Sequence, residues 1–330
     1  MKATTMKAIV ASGYGGPDVL QVQMTPKPTA KEEEVLIRVH ATSATRADEM
    51  MRTGKPYFGR LFTGLRAPKH PIPGTGFAGI VEAVGAAVSN FEPGDRVFGE
   101  TTLGFSTNAE YVAVPAGGVI LNMPERMSFG EATTFCDGHL TSLNFLKKIA
   151  DIKPGQQVLI NGASGALGTA AVQLAKYFGA EVTGVCSSRN VGLVQSLGAD
   201  FVVDYTRQDF TATGKQYDVI FDTVGKRSFQ TCKKALKPEG LYISPVLKFS
   251  LLFDMLRTGL FGKQKAKFAA TGLSSDAELR ELLGELVEIY QAGRLTTVID
   301  RQYPLEKVAE AHHYIAAGHK KGNVIITLTA

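Results

Sequence analysis

The chain has 330 residues, 44% hydrophobic and 20% charged, and its 36 lysines and arginines outnumber 31 acids for a net charge of +5. That is more than one core usually organises, so two domains are expected, and basic residues scattered along the chain argue against a nucleic-acid surface. No apolar run approaches the ~20 residues of a membrane span; residues 1–6 lack a secretory apolar segment, and Cys136, Cys186 and Cys232 are too dispersed for a disulfide framework, so a reducing, cytoplasmic setting is the expectation.

Residues 1–125 read as a β-rich domain. Short strands at Val35–Val39, Gly79–Val84 and Arg96–Phe98 are separated by the turns Pro71-Ile-Pro-Gly74 and Glu92-Pro-Gly-Asp95. Strand and helix then alternate. The β-branched run Val158–Asn161 leads into Gly162, Ala163, Ser164, Gly165, Ala166, Leu167 and Gly168, then a helix over Thr169–Phe178 and a strand over Glu181–Cys186. Small residues at this turn let helix-terminal amides face a pyrophosphate, while Gly168 and Ala171 permit close helix–sheet packing. An NAD site puts an acid about 20 residues beyond the glycines. Here Ser187-Ser188-Arg189-Asn190 stands with no carboxylate, which favours the 2′-phosphate of NADP(H), and Tyr205, after the strand Phe201–Asp204, is placed to add a phenol contact.

Further along, Tyr217–Asp222 is predicted as a strand, Ser228–Leu236 as a helix, Lys237-Pro-Glu-Gly240 as a turn and Leu241–Ser244 as a strand. Alternation of this kind makes a doubly wound parallel sheet, so the fold class is α/β. The apolar, basic-punctuated segment 246–267 has three readings: a lid or homodimer contact, a membrane-surface patch, or core. Leu279–Ala292 is a predicted helix, Thr297–Asp300 a strand, Leu305–Ala317 a helix and Asn323–Leu328 a last strand.

Pro73-Gly-Thr-Gly-Phe-Ala-Gly-Ile-Val81, Gly94-Asp-Arg-Val97, the turn Asn161–Gly168, Tyr303-Pro-Leu305 and Glu310-Ala-His312 together resemble the medium-chain dehydrogenase/reductases, in their zinc-free quinone oxidoreductase-like branch. The resemblance implies a GroES-like domain over 1–125, completed by about 290–330, and a Rossmann NADP-binding domain over 126–289, with the active site between them. Zinc-dependent members carry a cysteine in the segment here reading Ser43-Ala-Thr-Arg-Ala-Asp48, and a His-Glu pair where this chain has Thr75-Gly76. Thr45 and Thr75 are poor zinc ligands, so no metal is expected. Cys136, Asp137 and His139, near the family's third ligand, are read as packing and cleft residues.

The same resemblance assigns Tyr57 to substrate contact, its bland reading being a surface tyrosine, and Thr141 to the nicotinamide or phosphate, its bland reading being a helix threonine. It brings Asn323 towards the cofactor, or leaves it a plain strand start, and gives Asp48 a structural role. Without a metal, hydride donation suits a quinone or an α,β-unsaturated carbonyl, with Tyr57 or solvent supplying the proton. Two alternatives stand beside it: a zinc-free enoyl-thioester reductase, and a catalytically silent NADPH sensor.

Overall fold

The computed structural model describes residues 4–55, 57 and 60–328. Two compact units emerge, one running to Asp137 and including 275–284 and 299–330, the other covering 138–274 and 285–298. Segment 126–137, expected in the nucleotide-binding domain, therefore falls in the first unit. Met1–Ala3 of the N-terminal reading, and Pro56, Phe58 and Gly59 around Tyr57, lie outside the described residues.

The first unit begins with an antiparallel pair, β1 (Thr5–Ala11) and β2 (Leu20–Pro26). There follow β3 (Glu34–Ala44), α1 (Arg46–Thr53), the short α2 (Arg60–Thr63), β4 (Gly76–Val84), β5 (Arg96–Glu100), β6 (Tyr111–Pro115), β7 (Val119–Asn122) and α3 (Phe129–Thr134). β3 is longer than its apolar run predicted because its far half is also paired: Ala41 and Thr42 with β4, and Ala41–Ala44 with the C-terminal strand Asn323–Thr327. The small residues Gly76, Ala78 and Gly79 open β4 to close approach, and a Cβ on Gly79 would stand 2.1 Å from the Arg38 carbonyl oxygen across the ladder.

The chain then passes through a π turn (Phe135–His139), within which the first unit ends, to α4 (Leu140–Leu143) and a second π turn (Asn144–Ile149) of the second unit. Its sheet is built from β8 (Gln157–Asn161), β9 (Glu181–Cys186), β10 (Phe201–Asp204), β11 (Tyr217–Asp222), β12 (Leu236–Ser244) and β13 (Lys265–Phe268). All are parallel, in the order β10-β9-β8-β11-β12-β13. That is the doubly wound order with its switch point between β8 and β11. The helices of this unit are α5 (Ala166–Tyr177), α6 (Val191–Ser196), α7 (Phe229–Cys232) and α8 (Phe249–Phe261). Leu159, Ile220, Phe229, Leu236 and Tyr242 fill the core, with Phe145 stacked on Phe221 at 5.1 Å between ring centres.

Two local predictions fail here for a shared reason. The helix expected over Ser228–Leu236 stops at Cys232, passes through a 3-10 turn, and gives Leu236 to β12; the turn expected at Lys237–Gly240 becomes an irregularity inside that strand. Tyr217 pairs with Leu236 and Val219 with Leu241, so sheet pairing on both sides of the proline and glycine overrides the turn signal.

α9 (Asp276–Gln291), β14 (Ile299–Pro304), α10 (Val308–Ala316) and β15 (Asn323–Thr327) complete the chain. β14 and β15 extend the sheet of the first unit, giving the order β14-β15-β3-β4-β5-β7 with β6 on β3. Leu305, Val308 and Ile315 close its core against Ile37, Phe77 and Ile326. The chain thus carries a GroES-like β-rich unit and a Rossmann-like parallel-sheet unit.

Candidate functional site

In the second unit the glycine turn leaves the C-terminal end of β8 at the switch point. Gly162 has φ +84°, and a Cβ there would meet Val224 at 2.4 Å; a Cβ on Gly168 would stand 2.1 Å from the Gly162 carbonyl oxygen. The turn and the first turn of α5 are therefore closed on each other by missing side chains. Gly165 caps α5 without a side-chain acceptor. The amides of Ala166, Leu167 and Gly168 open the helix, where no intrahelical acceptor is available to them, so they suit an anionic group. Behind the turn, Asp222 accepts hydrogen bonds from Asn161 Nδ2 and Tyr242 Oη, both at 2.8 Å, and from the Gly225 amide at 3.0 Å. This buried carboxylate ties β8, β11 and β12 together beneath the site, and sequence reasoning missed it: only the parallel register brings Asp222 beside Asn161.

Two contacts bring the helix of Thr141 to the same turn. A Cβ on Gly138 would lie 2.8 Å from the Ala166 carbonyl oxygen, and Ser142 Oγ donates to the Leu167 carbonyl at 2.8 Å. Thr141 is half-buried between them in sequence, and the π turns on either side set its helix apart from a regular one.

At the far end of the turn, Ala163 is buried, and Ser164 accepts from Asn190 Nδ2 at 2.9 Å. Ser187 is buried, Arg189 is exposed, and Tyr205 is 58% exposed. Here one expectation is corrected. A carboxylate does stand at this end: pairing of β10 with β9 places Asp204 opposite Cys186, and Ser188 Oγ donates to Asp204 while meeting Thr206 Oγ1 at 3.0 Å. The Ser188 and Thr206 hydroxyls hold the Asp204 carboxyl below its ordinary range, so it is ionised at neutral pH. Arg207 stands 3.5 Å from it.

The first unit holds the remaining candidates. Thr45 and Asp48 form a reciprocal cap on α1: Thr45 Oγ1 donates to Asp48 Oδ2 at 2.8 Å, and the Asp48 amide donates to Thr45 Oγ1 at 3.1 Å. Both are buried, and burial pushes the Asp48 carboxyl up to about 6, partly offset by the Thr45 bonds. Glu100, half-buried at the end of β5, is raised to about 8 by desolvation of its carboxyl and by the Asp137 charge, against a hydrogen bond from Thr75. Asp137 is raised by burial and held back by Lys320, whose ammonium is itself lowered by burial. Cys136 rests over Gly76, 3.0 Å from where a Cβ would be, and burial pushes its thiol well up. Among the described residues no group of three or more His, Cys, Asp or Glu side chains is arranged to hold a metal ion.

Glu100 carries no sequence signal, because only the sheet turns its side chain inward. Tyr57 is 66% exposed, its ring 4.9 Å from the Arg60 guanidinium. Asn323 is buried at the start of β15. Thr141, Gly162 to Gly168, Ser187 to Arg189 and Tyr205 thus share one unit, whereas Tyr57 and Asn323 belong to the other.

Residues 31–125 match the family of the alcohol dehydrogenase GroES-like domain, and residues 197–326 that of a zinc-binding dehydrogenase. The chain is 31% identical to the NADPH-dependent alkenal/one oxidoreductase, chloroplastic, of Arabidopsis thaliana, over 97% of this chain and 79% of that one. It is likewise 31% identical to the quinone oxidoreductase of Pongo abelii, over 98% of each. The solved quinone oxidoreductase of Coxiella burnetii superposes with a TM-score of 0.86 at 28% identity, over 98% of this chain and 100% of the other. Glycine turn, sheet order and relatives agree: this chain belongs to the medium-chain dehydrogenase/reductase superfamily of oxidoreductases, among its quinone oxidoreductase-like members.

Proposed function

We propose that the chain is an NADPH-dependent reductase of quinones or α,β-unsaturated carbonyls that works without zinc. The observation that carries the reading is the Thr45–Asp48 cap. Thr45, in the segment where the resemblance puts the cysteine of zinc-dependent members, is committed with Asp48 to the first turn of α1. Thr45 and Thr75 offer hydroxyls where thiolate and imidazole would be wanted. These residues do not fit zinc, and no step is assigned to it.

They do fit a dinucleotide. Gly162 to Gly168 and the first amides of α5 would hold the pyrophosphate, Thr141 stands on the helix braced against that turn, and Arg189, Arg207 and Tyr205 would supply cations and a phenol to the 2′-phosphate, while Asp204 orients the Ser188 hydroxyl. Bound there, the nicotinamide supplies a hydride. The protein's part is to orient the substrate and exclude water; with Tyr57 exposed, bulk water is the proton source. Relatives named for alkenal/one and quinone reduction support this substrate class.

The test is NADPH oxidation over a panel of quinones, enals, enones and thioester-linked enoyl substrates, run with and without a chelator. C4-deuterated NADPH should deliver deuterium to the β-carbon of an enone, and turnover should survive the chelator. Deuterium found only on a carbinol carbon from saturated ketones would refute the assignment. Preference for the thioester would favour the enoyl reductase, and a flat panel with tight NADPH binding the sensor.

A further inference from the structure

α8 is seated the reverse of what water favours. Its inward residues Leu251, Asp254 and Thr258 are spaced by three and four, and two of them are polar. Gln230 Nε2 donates to Asp254, Thr258 Oγ1 accepts from the Ala266 amide at 3.1 Å, and Leu251 joins the core beside Tyr242. The outward face carries Leu252, Phe253, Leu256, Leu260 and Phe261, exposed by 40%, 67%, 65%, 67% and 87%. Phe253, Leu256 and Leu260 follow the i, i+3, i+7 spacing of one stripe, so the side chains form a continuous apolar surface.

Charge selects what covers it. Within residues 246–270 stand Lys248, Arg257, Lys263, Lys265 and Lys267 against one acid, the buried Asp254, which lies 3.6 Å from Arg257; Lys265 and Lys267 donate to backbone carbonyls, and the segment keeps a net positive charge. A two-fold contact between copies would set this patch against itself, like charge on like charge, with no exposed carboxylate in the segment to answer it. At about 1.5 Å per residue the 13 residues of α8 reach about 20 Å, short of the ~30 Å hydrocarbon core, and no helix among the described residues is long and apolar enough to cross a membrane. An anionic lipid surface offers headgroups for Lys263 and an acyl boundary for the stripe at once.

We propose that α8 docks this protein on the surface of an anionic membrane, lying in the interface plane with Phe253, Leu256, Leu260 and Phe261 at the acyl boundary. The proposal stands independently of which carbonyl compound is reduced. It would place the enzyme where apolar quinones and lipid-derived alkenals partition.

Co-sedimentation of the full chain with vesicles decides it, comparing phosphatidylcholine alone with phosphatidylcholine plus phosphatidylserine. Binding is expected to the anionic vesicles, weakening as salt rises. Lys263→Gln should lower affinity about fivefold. The pair Phe253→Glu and Leu256→Glu should abolish it while leaving NADPH oxidation with a water-soluble quinone unchanged. Failure to bind either vesicle overturns the proposal. So does a lipid-free dimer, read by light scattering, that the Phe253→Glu change disperses, because the stripe is then a subunit contact.

Discussion

At the residue scale, the consequences concern individual charges. Glu100 has a folded value of about 8 against an ordinary 4.5, so the native state keeps a proton that the unfolded chain releases. Its contribution is full below pH 4.5 and is lost as pH rises through about 8. Glu100→Gln should flatten the decline in melting temperature across that window and melt above the wild type at its alkaline end; parallel profiles would show that Glu100 is ionised throughout. Arg189→Ala should weaken NADPH far more than NADH, by ~1.5–3 kcal/mol for a lost charge-assisted bond, and equal losses in titrations with both cofactors would remove the phosphate assignment. Arg189 is a candidate that the sequence alone can name, because its place after the second strand of a βαβ unit is defined by chain distance. Asp204 was overlooked because it reaches Ser188 only through the β9–β10 register, although it stands just before Tyr205.

At the element scale, the glycine turn and α5 behave as one piece. Gly168→Ala sets a methyl 2.1 Å from the Gly162 carbonyl oxygen and 2.6 Å from the Ala163 Cα, both backbone, so helix and turn must separate. A loss of ~1–3 kcal/mol in denaturant unfolding, accompanied by weaker NADPH binding, is expected; unchanged values for both would mean the turn yields freely. The elements around it were readable where their signal is local: glycine spacing, β-branched runs, the helix of α9. They were misread where pairing dominates, as when β12 absorbed Lys237–Gly240. α8 lies between these cases. Its apolar content is plain in the sequence, but which face turns inward was settled by Asp254 and Thr258 finding partners at Gln230 and Ala266.

For the whole molecule, the sequence by itself determined the α/β class, the glycine turn at Gly162–Gly168 between strand and helix, and the family. Each rests on residues close together in the chain, where spacing alone fixes the backbone path and the side chains available along it. Tertiary structure decided how β14 and β15 return to extend the first sheet, and that the order β10-β9-β8-β11-β12-β13 puts the turn at a switch point. It also assembled Asp48, Glu100, Asp137 and Lys320 into one electrostatic neighbourhood and buried their charged ends. Those four positions come from four separate stretches of chain. A carboxyl group's proton affinity depends on what surrounds it in space, and no local pattern encodes the desolvation that strand pairing and helix packing impose.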